Sequence, residues 1–176
     1  FFDIMNGQGS VIKITKEDSV VFEHLFANVL FGAERYRDAL RQINHVLNDN
    51  ESNLRQDIYS FSKLFNLVVH YELGNFDLLD YLIKSTERFY LKRKKTAEVG
   101  YEFEVTFIRS FKKLIKISRS FTKSKAIFAS MREELQTLMR DQNEKVALEY
   151  FDYITWIDAK LQDRTYGELK RLNKKS

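Results

Sequence analysis

The sequence contains no cysteine and no proline, and only six of its 176 residues are glycine. Without cysteine the chain has no disulfide, no thiolate metal ligand and no cysteine nucleophile, which is compatible with the cytoplasm. The shortage of proline and glycine removes most of the turns that separate short strands, and it favours long helices. No hydrophobic run approaches the roughly 18 residues that a membrane-spanning helix requires. These absences predict a cytoplasmic protein of the all-α class.

Catalytic motifs are missing as well. The three histidines, His24, His45 and His70, do not have the spacing of zinc ligands, and the sequence has no glycine-rich phosphate-binding loop. It also lacks the Gly-x-Ser-x-Gly motif of a nucleophilic serine. The adjacent carboxylates Glu133 and Glu134 lie beside an apolar stripe and are typical of a solvated helix face. We therefore predict that the chain is not an enzyme and has no metal site and no cofactor.

What the sequence does contain is a strong pattern of two helices between Leu54 and Lys95. Their apolar residues recur at steps of three and four, which places each set on one helix face: Ile58, Phe61, Leu64, Phe65, Val68 and Tyr71 in the first, and Phe76, Leu79, Leu82, Ile83, Thr86, Phe89 and Tyr90 in the second. Gly74 lies between the two sets, and glycine can adopt the left-handed conformation that ends a helix. Helices joined by so short a turn pack antiparallel, so this stretch predicts a helical hairpin.

The same layout occurs about 40 residues earlier. The first predicted stripe contains Phe22, Phe26, Val29 and Leu30, a turn follows near Gly32, and the second stripe contains Tyr36, Ala39, Leu40, Ile43, Val46 and Leu47. These residues resemble the tetratricopeptide repeat. Tyr36 and Ala39 match the family's aromatic residue and the small residue three positions later, and Ile43 and Val46 match its next packing positions. Phe26 and Ala27 match its pair of a large and a small residue, and in the later hairpin Gly74, Asn75 and Phe76 match its turn.

The resemblance covers residues 20–90 and departs from the family in three respects. The period from Tyr36 to Phe76 is 40 residues instead of the family's usual 34 or so, and Leu79 stands where the family has a small residue. The family also commonly ends its repeat with a proline, and this sequence has none. The chain thus resembles a divergent, long-helix relative. The family implies an α–α solenoid of antiparallel hairpins that binds a peptide or partner protein in a groove lined by the first helix of each hairpin.

Helical periodicity continues to the end of the chain. A third pair is predicted from Phe103, Phe107, Phe111, Leu114, Ile115 and Ser118, and from Ile127, Met131, Leu135, Leu138 and Met139. A last long helix is predicted from Val146, Tyr150, Tyr153, Ile154, Ile157 and Leu161, with a short amphipathic segment over 166–172. We predict one domain over residues 16–176, with hairpins at about 17–48, 54–95 and 101–140 and a cap at 143–173. The ending resembles the C-termini of uncharacterised bacterial helical-repeat proteins, which implies no activity.

Residues 1–15 permit two interpretations. Apolar side chains at Phe1, Phe2, Ile4 and Met5 indicate either the tail of a preceding helix in a longer solenoid or a short hydrophobic arm that packs on the first hairpin. Residues 11–14 alternate weakly and favour a short extended piece. Thr15 or Asp18 is the expected N-cap of the first repeat helix.

Two groups of polar residues are candidate binding sites. By the family resemblance, the first helices line a groove in which polar side chains hold a peptide; the candidates are Asn28, Lys63, Asn66, His70, Arg109 and Lys113. The second group is a basic region from Arg88 to Lys125, with 12 Lys or Arg against 3 Asp or Glu; its candidates are Arg88, Lys92, Arg93, Lys94, Lys95, Lys112, Lys116 and Arg119. Such a region attracts nucleic acid or another anionic partner, although cations at a helix C-terminus also complement the helix dipole.

Three functional hypotheses follow. The first is a non-catalytic protein-interaction scaffold that binds a peptide or a partner protein in its groove. The second is a nucleic-acid-binding or regulatory module that uses the basic region. The third is a structural support domain within a larger protein.

Overall fold

The computed structural model describes residues 4–5, 11–12, 14–48, 55–96, 100–117 and 121–174 of the chain. Two short strands, β1 (Ile4–Met5) and β2 (Val11–Ile12), precede the helices. The helices are α1 (Lys16–Gly32), α2 (Tyr36–Asn48), α3 (Gln56–Glu72), α4 (Phe76–Thr96), α5 (Glu102–Lys116), α6 (Phe121–Leu138), α7 (Gln142–Lys145), α8 (Ala147–Tyr150), α9 (Tyr153–Leu161) and α10 (Tyr166–Asn173). The described chain is therefore almost entirely helical, which confirms the predicted all-α class.

The two strands pair antiparallel, with Ile4 opposite Ile12 and Met5 opposite Val11. Ile4 and Met5 are thus not in a helix, and the interpretation of these two residues as a helix tail is wrong. The extended piece predicted for residues 11–14 is confirmed at Val11 and Ile12. The alternative, a hydrophobic arm that packs on the first hairpin, stays a prediction, and Phe1 and Phe2 lie outside the described residues.

Thr15 is the N-cap of α1, and Asp18, the other predicted N-cap, is instead the third residue of the helix. The Thr15 hydroxyl accepts a hydrogen bond from the Asp18 amide, and the Asp18 carboxylate accepts one from the Thr15 amide, each at 3.1 Å. This reciprocal capping box satisfies amide groups that the first turn of a helix leaves unpaired.

The turns after α1 and α3 share one hydrogen-bond pattern. Their three amide donors bond to carbonyls four, three and five residues earlier at 2.9–3.1 Å; these donors are Ala33, Glu34 and Arg35 in one turn, and Leu73, Gly74 and Asn75 in the other. Glu34 and Gly74 occupy equivalent positions and have φ angles of 62° and 71°. In each turn the bond that reaches back five residues, from Arg35 or from Asn75, closes a Schellman-type helix ending. The turn predicted at Gly74 is confirmed, and the turn 40 residues earlier has the same geometry although it contains a glutamate.

From α1 to α6 each helix packs against the next along the chain. The predicted stripes of α2, α3 and α5 are buried or packed against the core, apart from Ser118, which lies outside the described residues. The predicted stripe of α1 is wrong at Phe22, Phe26 and Val29, which are exposed. The residues that α1 buries are His24, Ala27, Leu30 and Phe31. Because α1 is apolar on both faces, its periodicity does not identify the face that meets the core.

The C-terminal part of the chain differs from the single long helix that the sequence predicts. The helix is interrupted at Phe151, whose φ and ψ of −159° and 138° are extended, and Asp152 then caps α9 by accepting a hydrogen bond from the Thr155 amide at 2.9 Å. The interruption changes the direction of the chain. As a result α7 contacts α5, α8 contacts α3, α9 packs on α6, and α10 reaches α1.

Aromatic side chains fill the space between these helices. The Phe31 ring lies 5.0–5.4 Å, between centroids, from the rings of Tyr36, Phe65, Phe151 and Tyr166. Trp156 is fully buried among rings from α3, α5 and α6: Tyr71, Phe107, Phe111 and Phe128. The C-terminal segment is thus part of the core, and it packs along the helices instead of only closing the end of the stack.

Candidate functional site

The space between α1 and α3, the first helices of the first two predicted hairpins, is occupied by the chain itself. Tyr150, at the end of α8, lies between α1 and α3. Its carbonyl accepts hydrogen bonds from His24 Nε2 at 2.9 Å and from Asn28 Nδ2 at 3.1 Å. The helix ends at this residue, so its carbonyl has no partner within a following turn. Two side chains of α1 therefore hold a backbone carbonyl, as a peptide-binding groove would, but the carbonyl belongs to the same chain.

The hydrogen bonds of His24 determine its tautomer. Nε2 faces a carbonyl oxygen, which only accepts, so Nε2 carries the proton. Nδ1 lies 2.8 Å from the Ser62 hydroxyl and accepts a hydrogen bond from it. Burial lowers the pKa of His24 below its ordinary value, because the charged ring would be poorly solvated. The ring is therefore neutral near pH 7 and serves to position Tyr150.

The Tyr150 side chain is fixed at both ends. Its ring stacks on Phe61 with the centroids 4.1 Å apart, and its hydroxyl donates to the Asp57 carboxylate at 2.8 Å. Burial, together with this hydrogen bond, raises the pKa of Tyr150 to about 12. The guanidinium of Arg55 binds the same carboxylate, and the pKa of Asp57 lies well below its usual range. This cluster ties the C-terminal segment to the first turn of α3.

A second anchor lies at the other end of α3. The Glu72 carboxylate accepts a hydrogen bond from Trp156 Nε1 at 2.6 Å and forms an ion pair with Lys160. Both partners belong to α9. The Glu72 carboxylate is mostly removed from solvent, but the indole and the ammonium group satisfy its hydrogen-bonding capacity. This contact is therefore a structural one.

A pair of buried glutamates lies where α7 meets α5. Glu144 accepts from the amides of Glu102 and Phe103 at 3.3 and 2.6 Å, at the N-terminus of α5. Glu104 is also buried, and burial raises its pKa to about 7, with a further contribution from the charge of Glu144. The nearby Tyr153 hydroxyl is buried without a hydrogen-bond partner. Among the carboxyl groups that the structure describes, Glu104 has the largest pKa shift that is caused mainly by burial.

The six predicted groove residues do not form one cluster. Asn28 contacts Tyr150, whereas Lys63 lies over the rings of Tyr59 and Phe89 at 4.8 and 5.3 Å. His70 bonds to Asn75 in the turn after α3, and Arg109 bonds to Thr106 and forms an ion pair with Glu134. Asn66 is buried with its side-chain oxygen unpaired, and Lys113 is exposed. Their shared role as peptide contacts stays a prediction.

The predicted basic region is partly neutralised by ion pairs. Lys94 pairs with Glu102 and Lys112 with Glu87, and Arg93 donates to Gln56 and Tyr101. Arg88 is exposed and donates to the carbonyl of Lys84 at 3.3 Å. Arg119 lies outside the described residues. Among the cations of the Arg88–Lys125 region that the structure describes, six are exposed with no ion-pair partner: Arg88, Lys92, Lys95, Lys113, Lys116 and Lys123.

An exposed apolar surface, which the apolar periodicity did not predict, lies on α1. Its outer face consists of Phe22, Leu25, Phe26 and Val29, whose exposed fractions are 57%, 53%, 51% and 65%. These residues follow the i, i+3, i+4, i+7 spacing of one helix face. The signal was present in the sequence, because α1 has apolar residues on opposite faces and only one face can meet the core. Contiguous exposed apolar patches are a common feature of interaction surfaces.

A second exposed face lies on α4. Tyr81 has an exposed fraction of 64%, and Arg88 and Lys92 follow it at seven and eleven residues, which places all three along one side of the helix. Leu78 precedes them on the same side and is also exposed. This face combines an aromatic ring with free positive charge.

Comparison with protein-family models, with curated proteins and with solved structures finds no match for this chain. In the part of the chain that the structure describes, no group of three or more His, Asp or Glu side chains is placed to hold a metal ion. Over the same ranges, none of the helices combines the length and the apolar character needed to cross a bilayer.

Proposed function

We propose that the chain is a non-catalytic protein-interaction module that binds its partner through the outer face of α1. The observation that carries this proposal is the exposure of four large apolar side chains on one face of one helix. Isolated exposed apolar residues are common on proteins, whereas the largest contiguous apolar patch of a protein is often functional. A partner that buries this face removes it from water and gains the corresponding hydrophobic free energy.

We also propose that the fold is a divergent tetratricopeptide-like stack of helical hairpins. The support is the repetition of one turn geometry after 40 residues, including a left-handed residue at the same position. Repeated local structure at a fixed period is typical of such stacks. The return of α10 to α1 distinguishes this chain from an open solenoid, in which each repeat contacts only its neighbours.

The outer face of α1 is a better candidate than the inner groove. The inner side of α1 and α3 is filled by Tyr150 and Phe151, which stack on Phe61 and Phe65 at 4.1 and 4.4 Å. A peptide that entered there would have to displace a segment whose neighbours, Tyr153 and Trp156, are fully buried. The outer face requires no such displacement.

A photo-crosslinking amino acid placed at Leu25 tests this proposal in cells that express the chain. We expect a discrete crosslinked protein band from position 25. The matched control is the same group at Leu91, an exposed leucine on α4 with an exposed fraction of 42%. The band should disappear when Phe22→Glu is combined with the crosslinker at position 25. Equal, diffuse labelling from both positions would contradict the proposal.

A second candidate function is binding of single-stranded nucleic acid on the α4 face. The observation in its favour is the alignment of exposed Tyr81 with Arg88 and Lys92, because proteins of this class combine stacking rings with a positive groove. Anisotropy of a labelled oligonucleotide across a salt series tests it: affinity should fall as salt rises. Lys92→Glu and Tyr81→Ala should each weaken binding, whereas Lys145→Glu, the same charge change on α7, should not. No binding at low salt would exclude this function.

A further inference from the structure

We infer that the partner of the outer face of α1 is a second copy of this chain, and that two α1 helices pack antiparallel about a two-fold axis. The inference rests on the proposed function, since it names the occupant of the same surface. It is carried by the area of the face, by the absence of charge on it and by the order of its side chains.

The area fits the centre of a dimer interface. A fully buried aromatic side chain removes about 150–250 Å² from water, so four large side chains that are about half exposed offer on the order of 400 Å² of apolar surface. A standard interface takes about 800 Å² from each partner, with an apolar centre and a polar rim. The outer face of α1 would supply the centre, and the exposed polar residues around it would supply the rim.

The order of side chains makes the face complementary to itself. In an antiparallel pair centred between Leu25 and Phe26, Phe22 of one copy lies opposite Val29 of the other, and Leu25 lies opposite Phe26. Each large ring thus meets a smaller aliphatic group. This reciprocal arrangement is what a two-fold interface requires, because the same patch serves both copies.

The absence of charge on the face suits a buried contact. None of its four residues is charged, so no ion has to be buried without a partner. The two helix dipoles oppose each other in an antiparallel pair, which is favourable.

Sedimentation equilibrium across a concentration series is the first test. We expect a mass of twice the 21.0 kDa of one chain, with dissociation to the monomer on dilution. Leu25→Glu should shift the equilibrium to the monomer, whereas Leu91→Glu, the same change at another exposed leucine, on α4, should leave it unchanged. Circular dichroism verifies that both variants are folded, which is expected because both side chains are on the surface.

Cysteine crosslinking tests the register, because the chain contains no cysteine of its own. In the proposed arrangement two copies of residue 25 lie beside the axis, so Leu25→Cys should form a disulfide-linked dimer under mild oxidation. Two copies of residue 22 are separated by about 10 Å along the helices, which is too far for a disulfide. Phe22→Cys should therefore form no disulfide-linked dimer, whereas the double variant with Phe22→Cys and Val29→Cys should crosslink.

Three results would overturn the inference: a monomer at every concentration, a dimer that persists in Leu25→Glu, or efficient crosslinking of Phe22→Cys alone. These results are distinct from failure of the proposed function. A chain that is monomeric in solution but gives a discrete band from position 25 with another protein would leave the interaction surface intact and remove only the second copy as its occupant.

Discussion

At the scale of single residues, the buried carboxyl group of Glu104 should make the stability of the protein depend on pH. Burial raises its pKa in the folded state to about 7, from an ordinary value of 4.5. Between these two values the unfolded chain loses the proton while the folded chain keeps it. Stability is therefore lost as the pH rises through this window, because the folded state must finally bury a charge.

Glu104→Gln should remove this loss. The amide has the shape of the protonated acid and does not ionise, so we expect the free energy of unfolding at pH 8 to rise by about 2–3 kcal/mol. Near pH 4.5 the variant and the wild type should differ little. Urea unfolding at both pH values measures the effect, and Glu133→Gln, at an exposed position on α6, is the control. An equal change at both pH values would show that the effect is one of packing and not of charge.

The neutral histidine at position 24 acts in the opposite direction. Burial lowers its pKa in the folded state below the ordinary 6.5, so the unfolded chain binds a proton first as the pH falls. Stability contributed by His24 is present above that value and is lost in acid. His70 is also buried and its pKa is lowered for the same reason. The difference between Glu104→Gln and the wild type isolates the carboxyl group from these histidines.

At the scale of elements, periodicity predicts where helices lie more reliably than it predicts which face is buried. The turn at Gly74 and the stripes of α2, α3 and α5 follow from local sequence, since glycine and apolar spacing act within one element. The buried face of α1 does not, because it depends on which distant helices cover it. Asn28 was predicted to line a peptide groove, but it bonds to the carbonyl of Tyr150. That carbonyl has no partner within a helix only because the helix is interrupted at Phe151.

The contact between α10 and α1 is another feature that local sequence does not reveal. A Cβ atom at Gly167 would lie only 2.0 Å from the carbonyl oxygen of Gly32. This is a backbone atom, so a side chain at position 167 would force the two helices apart. The close approach brings Tyr166 against Phe31, with the ring centroids 5.4 Å apart.

Gly167→Ala should therefore destabilise the protein by about 1–3 kcal/mol, the usual cost of overpacking a tight contact. Gly32→Ala, on the other side of the same contact, is the matched control. A Cβ there would meet only the Tyr166 ring, at 3.9 Å, which is an ordinary contact, and alanine favours the helix over glycine. Thermal unfolding of the two variants measures the difference. A Gly167→Ala variant as stable as Gly32→Ala would contradict the close approach of these helices.

At the scale of the whole molecule, the C-terminal segment connects parts of the stack that are distant in sequence. It contacts α1 through Tyr150 and Tyr166, α3 through Trp156, and α5 through Glu144. In an open repeat array each unit interacts only with its neighbours, and the ends unfold separately. Here the first and last helices are in direct contact, so loss of either one exposes the core of the other.

We therefore expect unfolding in one cooperative transition. Trp156 is the only tryptophan, and it is buried among α3, α5, α6 and α9, so its fluorescence reports the C-terminal segment, whereas far-ultraviolet circular dichroism reports all helices. In urea the two signals should change with the same midpoint and slope, as in a two-state system. Gly167→Ala should move both midpoints together to lower urea, because it weakens the contact that joins the two ends. Separate transitions, with tryptophan exposed before most of the helix is lost, would indicate that the C-terminal segment is only a detachable end of an open stack.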